Sequence, residues 1–512
     1  MIQMTKEELN SYDGENINQL VSIINPILEH RERLYQRYRR KSKDTAIMAG
    51  TLENGKVKAI VPFEYYIVHM VQGYLGGKAP MYSVASPSDY AINTGKKGFF
   101  ERVARTIGAN KAADKKRDAR KQEYVKSYTE AMEYIRRYND DAATYVELLH
   151  DYLTTSAAYL YLYENEDNEI VYTRFDSRQT VAIYDYATPP NHIGTVRKWD
   201  QKKPDGTLVP TVELITADSR RKYLNGKLEG EPEPLAWGDI PCVAFENPDA
   251  IAVFEPALSM IDTYEQTMNN VRNMTWYNDN AKLLLRGYAF ETEATITGED
   301  GQVIPNPARK VEEEAILCAL ALSVGENGDI SWLVKNVEYS GILDTLKRYH
   351  DLITLLTGVP NMTDEAFANA DNASALGYKL YALDQYSATT DRVFKKGLLR
   401  RDEIITGRLN LKGSHFDFRD ETITLQRNIP TDKDKSLDRA IKAYSGGLVS
   451  QETALNESQI EVDAKEEMHR QQEEQEQDYS LTLERNQRLG QESEPDQEDG
   501  NDDQEEITDG NR

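Results

Sequence analysis

Residues 358–405 read GVPNMTDEAFANADNASALGYKLYALDQYSATTDRVFKKGLLRRDEII, and this stretch, with the apolar stripe just before it, decides the reading of the fold. Leu343, Leu346, Tyr349, Ile353 and Leu356 recur at spacings of three and four, the pattern of an amphipathic helix. Gly358 accepts a left-handed cap and Pro360 cannot continue a helix, so the element ends there. Residues 361–375 are small and polar and contain neither glycine nor proline. They predict a loop. The stripe restarts at Leu376, Leu380, Leu383, Val393, Phe394, Leu398, Ile405 and Leu409. A helix of that extent is about 50 Å long, which suits a spine in an assembly better than a small globular domain.

The same reading extends outward in both directions. Residues 16–38 form a helical pattern that turns basic at its end (Arg31, Arg33, Arg37, Arg39, Arg40, Lys41), and residues 61–75 are an apolar segment closed by Gly76 and Gly77. Residues 96–121 hold ten Lys/Arg against three acids. They read as a solvated surface loop or as a basic patch for DNA or an acidic partner. A helical pattern follows over 124–153. The period then changes to two, with Tyr159, Tyr161 and Tyr163 alternating with Leu160 and Leu162. Asp205-Gly206 and Asn225-Gly226 are tight-turn pairs, so residues 157–247 predict a β-meander. Pro256 opens a helix striped by Leu258, Ile261, Met268, Val271 and Met274, ending near Asn278. Strand-like runs at 283–288 and 329–337 flank a loop with proline and glycine. The fold class is α+β, helix-dominated.

Composition removes several classes of function. The formal net charge is −25, of which residues 452–512 carry −16, with 21 acids and 5 bases. Such a balance argues against a protein that grips DNA by neutralising phosphates. Residues beyond 485 lack the apolar content to fold and predict a disordered tail. No apolar run approaches the ~18 residues needed to cross a bilayer, and the N-terminus lacks the regions of a signal peptide. Cys242 and Cys318 read as ordinary reduced thiols. There is no phosphate-binding loop, since Gly76-Gly77-Lys78 is followed by alanine. The seven histidines show no metal-ligand spacing. No enzymatic activity, no cofactor and no metal are expected. Asp364 and Glu365 are the acid pair to test, with a charged loop face as the structural alternative.

Three blocks carry a resemblance to a known family. The run quoted above is similar to the tunnel loop and following helix of portal proteins from long-tailed bacteriophages. Residues 270–288 (NVRNMTWYNDNAKLLLRGY) resemble that family's descending stem helix and its exit into a small distal domain. Residues 447–457 (GLVSQETALNE) resemble its segment near the C-terminus.

The resemblance implies a homo-oligomeric ring of about twelve subunits at one capsid vertex of a virion, made in the host cytoplasm. Double-stranded DNA would pass through its channel, driven by the terminase large subunit. The ring would meet the major capsid protein, scaffold and head-completion or adaptor proteins. It implies a portal-like division into wing (1–250), stem (251–280 and 338–358), clip (281–337), tunnel loop (359–375), a long wing/tunnel helix and strand (376–430), crown (431–485) and acidic tail (486–512). In the loop, Asn361, Met362, Thr363, Asp364, Glu365, Phe367, Asn369, Asp371 and Asn372 become the channel candidates. Lys379, Lys395 and Lys396 become sparse basic channel residues, or partners in salt bridges. Arg286, Tyr288, Arg309, Lys310 and Trp332 become docking candidates on the clip. The competing reading is a cytoplasmic enzyme or helical scaffold protein of low oligomeric state.

Overall fold

The computed structural model describes residues 1–13, 16–39, 60–84, 111–279, 282–286, 290, 292–298, 301–318, 328–333, 339–361, 373–428 and 433–458, with five further positions between 467 and 474. The fold is mixed α+β. The chain divides into two compact units, Met1–Asn428 and Ile429–Arg512.

Strand β3 (Ala157–Glu164) organises the first unit. Its alternation does separate two faces, and both are buried. Ala158, Leu160 and Leu162 join a helical core containing Leu75, Leu149 and Leu153, while Ala157, Tyr159 and Tyr161 pack on Phe175, Ala182 and Ile215. β3 pairs with β4 (Ile170–Phe175) and with β11 (Cys242–Glu246) in a three-stranded sheet. A second sheet has the order β1 (Ile2–Gln3), β5 (Thr180–Tyr184), β6 (His192–Lys202), β7 (Leu208–Ile215), β8 (Ser219–Leu224), β10 (Glu233–Pro234), with β9 (Lys227–Leu228) on β8. The expected single meander is therefore two stacked sheets. β5 to β9 pair in sequence order and so do β3 and β4, but β11 returns to β3 and the N-terminal strand adds parallel to β5. The outer face of the larger sheet, with Val181, Ile183, Val196, Val212 and Leu214, is covered by α1 (Lys6–Ser11) and α2 (Ile17–Arg39) through Leu9, Ile17, Leu20, Ile24 and Leu28. The resulting layers run helix, sheet, sheet, helix. The Asn225-Gly226 turn joins β8 to β9 with φ of 49° and 78°, the conformation that pair tolerates best. Cys242 is a buried free thiol, pushed up to about 12 by that burial.

The helical layer contains α3 (Phe63–Gly76), α4 (Lys111–Tyr138) and α5 (Asp141–Thr155). Two expectations need correction. The helix read over 124–153 is two helices, broken where Asp140 adopts φ 46° and its carboxylate accepts from Ala143 N at 3.3 Å. Asn139 ties the break to β4, donating to the Ile170 carbonyl and accepting from Tyr172 N. The second concerns the basic run. Residues 111–121 are helical rather than a loop, and residues 96–110 lie outside the described residues.

Helix α6 (Leu258–Asp279) and helix α8 (Tyr339–Thr357) pack against each other. The residues between them form an antiparallel ribbon, β12 (Lys282–Arg286) with β15 (Asp329–Leu333), and a hairpin, β13 (Thr295–Thr297) with β14 (Val303–Pro305). Helix α7 (Pro307–Cys318) lies between these in sequence, where a loop was expected. Pro307 suits a first helical position, and Asn306 accepts from Ala308 N at 3.0 Å. Helix α9 spans Ala373–Leu411, 39 residues or about 58 Å. It is followed by β16 (Glu421–Thr424), which pairs with β2 (Met81–Val84).

The second unit holds α10 (Lys433–Ser445) and α11 (Gln451–Glu457). Gly447 (φ 67°) closes α10, with Leu448 N donating to the Ala443 carbonyl at 3.0 Å, and Ser450 caps α11. The tail from residue 475 onward lies outside the described residues.

Candidate functional site: the capped turn and the long helix

Helix α8 stops as its sequence dictates. Gly358 has φ 69°, and a Cβ there would lie 3.4 Å from the backbone carbon and oxygen of Ala382. Both the left-handed backbone and the close approach to α9 call for glycine. Val359 is buried beside it, and Asn361 donates its Nδ2 to Asp351 at 3.3 Å. The chain therefore leaves a fixed point, packed on α9, before the candidate loop begins. Met362, Thr363, Asp364, Glu365, Phe367, Asn369, Asp371 and Asn372 lie outside the described residues.

On α9, Lys379 falls in the second turn, Lys395 is half-buried and Lys396 exposed. Among the described residues neither Lys395 nor Lys396 makes an ion pair. Arg392, exposed one turn before Lys396, completes a three-cation cluster that sequence reasoning missed. The four-residue spacing from Arg392 to Lys396 was its signal.

Further along, α9 carries a buried ionic network. Arg401 is 1 % exposed and Asp402 fully buried. Arg401 pairs with Asp402 at 2.9 Å and with Asp141 at the start of α5. Arg136 of α4 reaches Asp402 at 3.1 Å and Glu421 of β16 at 2.7 Å. Tyr82 and Tyr172 donate to Asp141 at 2.6 and 2.8 Å, and Tyr128 donates to Glu421 at 3.1 Å. Five elements converge on one helix, and the local signal for it is Arg400-Arg401-Asp402 interrupting an apolar stripe.

Three carboxylates face two guanidiniums in this network, and the excess sets their titration. Burial alone would raise Asp141, but Arg401 and the two tyrosine hydroxyls hold it below its ordinary value. Glu421 is raised, first by burial and then by Asp402, with Arg136 and Tyr128 opposing. A carboxyl raised in the folded state binds its proton more tightly there than in the unfolded chain. Its contribution to stability is full below the unfolded value of 4.5 and is lost as pH rises through the folded value. Glu421→Gln cannot lose that proton. Urea denaturation at several pH values should show the variant gaining on the wild-type protein as pH rises from about 4.5 to 8. A constant difference across that range would remove Glu421 as the titrating group.

The distal segment between α6 and α8 is apolar at its surface. Trp332 is 56 % exposed and Val311 66 %, with Leu284, Ile296, Val303 and Ile304 also exposed. The register sets Leu284 opposite Ser331, so Leu284 and Trp332 belong to opposite faces of the ribbon. Arg286 ends β12 exposed, and Lys310 is exposed on α7. Arg309 is engaged internally, with its guanidinium over the Phe290 ring and bonds to the Thr292 carbonyl (3.0 Å) and Glu313 (3.2 Å). Tyr288 lies outside the described residues. Leu343, Leu355 and Leu356 of α8 and Tyr381 of α9 are likewise exposed.

Among the described residues there is no cluster of three His, Cys, Asp or Glu able to hold a metal ion, and no helix is long and apolar enough to cross a membrane. No curated protein matches the chain. A family model described as "Phage portal protein, SPP1 Gp6-like" matches residues 24–480.

Proposed function

Because the chain belongs to the SPP1 Gp6-like family of phage portal proteins, a structural and non-enzymatic family associated with the virion, we propose that it forms a ring of about twelve subunits at one capsid vertex. In this reading the ring is the channel for DNA packaging by the terminase and for DNA ejection, and it docks head-completion or adaptor proteins. The observation that carries the proposal is the extent of the match, which runs through both paired helices, the loop and the long helix. Family membership disfavours the alternative of a low-oligomer enzyme or scaffold.

The parts take their roles from the same reading. Residues 1–250 are the wing, 251–280 and 338–358 the stem, 281–337 the clip, 359–375 the tunnel loop and 431–485 the crown. The loop faces DNA with Asn361, Thr363, Asp364, Glu365, Asn369, Asp371 and Asn372, whose short polar and acidic groups hold phosphates weakly. Weak contact suits a channel through which DNA must slide. Phe367 is its apolar anchor against the neighbouring subunit. Lys379, Lys395 and Lys396, with Arg392, supply sparse basic rings. The exposed Leu355, Leu356 and Tyr381 beside the loop's two ends support a neighbouring subunit there, since isolated chains rarely leave such residues clustered in water. On the clip, Trp332, Arg286, Tyr288 and Lys310 meet the adaptor, and Arg309 holds the surface that presents them.

The loop is tested by packaging and retention assays on particles carrying Asp364→Ala or Phe367→Ala. The expected result is reduced filling or premature loss of DNA in at least one variant. Wild-type filling and retention in both would remove the loop from the mechanism.

A further inference from the structure

A row of flat groups crosses the space between the two sheets. Trp199 and Arg197 of β6 begin it, with the guanidinium 4.5 Å from the Trp199 ring and 4.4 Å from the Phe175 ring on the facing sheet. Phe175 stacks on Tyr161 at 4.7 Å and 12°, and Tyr161 on Tyr163 at 6.0 Å and 13°. Strand periodicity builds the row. Tyr161 and Tyr163 are two residues apart on β3, and Arg197 and Trp199 two apart on β6, so each pair shares one face of its strand. One end of the row is closed by Trp199. The other end is open: Tyr163 is 37 % exposed, and among the described residues its one ring contact is with Tyr161.

Tyr163 lines a cavity of about 570 Å³ between β3 and β4 on one side and β8, β10 and residues 235–237 on the other. Trp237 adds a further ring to its wall. The charged groups in that wall are Glu164, Glu233 and Arg220, two acids to one base. Arg220 donates to Glu213 at 2.6 Å and to Glu233 at 3.4 Å, so no cation in the wall is left for a carboxylate or phosphate guest. Arg408 and Lys412 of α9 engage Glu164, the Ala236 carbonyl and the Asn168 carbonyl, and neither lines the cavity. Glu233 is 62 % exposed along its side chain, and among the described residues its one ion pair is the long contact to Arg220. The open ring and the under-matched acid therefore face the same space.

We propose that this cavity takes the side chain of an arginine presented by a partner protein, its guanidinium laid on the open face of Tyr163 and paired with Glu233. The chain already uses the same arrangement at the closed end of the row, where the Arg197 guanidinium lies between two rings. A planar cation satisfies both the ring and the acid, whereas an ammonium satisfies the acid alone. The guest belongs to a polypeptide rather than to free arginine. A free α-carboxylate would meet Glu164 and Glu233 with no cation to answer it, and a peptide bond carries no charge. The proposal does not depend on the portal reading.

The test is equilibrium dialysis of the full chain against acetyl-Gly-Arg-Gly-amide, with the lysine and citrulline versions of that peptide and free arginine as comparisons. Citrulline keeps the planar end without the charge, and lysine the charge without the plane. The arginine peptide is expected to bind saturably and at least about threefold more tightly than each of the other three. Glu233→Gln should weaken it about threefold and leave the citrulline peptide unchanged. Tyr163→Leu should weaken both peptides. Tyr163→Phe keeps the ring and should bind as the wild-type protein does, which separates loss of the stack from loss of the fold. Absence of saturable binding, equal binding of the three peptides, or binding indifferent to both Glu233→Gln and Tyr163→Leu would overturn the proposal. Free arginine binding as tightly as its peptide would overturn the assignment to a partner protein. Any of these failures would leave the portal reading standing.

Discussion

Arg401→Met is expected to remove on the order of 3–5 kcal/mol from the stability of the first unit, a large fraction of the roughly 5–15 kcal/mol that holds a folded domain together. Methionine matches arginine well enough in length to fill the site, so the loss is electrostatic. Asp402 is fully buried and Asp141 nearly so, and Arg401 bonds both. Without it Asp141 keeps two tyrosine donors but no adjacent cation, and Asp402 keeps Arg136 alone, which it already shares with Glu421. Two buried carboxylates then depend on one guanidinium, a penalty well above that of a lost surface pair. The measurement is urea denaturation followed by circular dichroism, with yield of soluble protein as a coarse companion. A loss below about 1 kcal/mol would mean water reaches the network, and the account of α9 as rigidly seated would fall.

The second large effect concerns a glycine in the middle of the same helix, and its sign opposes ordinary helix propensity. Alanine for glycine inside a helix normally stabilises by about 0.5–1 kcal/mol. At Gly397 a Cβ would lie 2.2, 2.4 and 2.9 Å from three carbons of the Phe245 ring. That ring is buried against Phe394, itself wedged edge-on between Tyr145 and Tyr152. The ring has no free direction in which to move. Gly397→Ala should therefore destabilise by about 1–3 kcal/mol net. Gly407, ten residues on, meets nothing within 4 Å of an added Cβ, so Gly407→Ala should stabilise by the ordinary amount. Thermal melts of the pair give opposite shifts if α9 packs on β11 as described. Stabilisation by both would contradict that packing.

What could be read in advance follows from how local each signal is. The end of α8 at Gly358, the restart of α9 and the Asn225-Gly226 turn each depend on neighbours a few residues apart, and the sequence carried them. The basic run was misread over 111–121 because charge suggested solvation, while alanine, lysine and arginine are good helix formers. Asp140 broke a helix without glycine or proline to announce it, through the cap its own side chain makes. Pro307 looked like a breaker and was a first helical residue. The division into two sheets depends on β11 meeting β3 across some eighty residues, which no window of sequence contains. The network at Arg401 draws partners from five segments, so only the fold assembles it. The loop candidates came from resemblance, and their roles stay proposals.

Whether the chain forms a ring is decided by its mass and shape in solution. Light scattering and negative-stain electron microscopy of the purified protein should give annular particles with a central hole. Twelve chains of 58.3 kDa correspond to about 700 kDa. Particles of one or two chains at micromolar concentration, with or without the capsid components present, would contradict it.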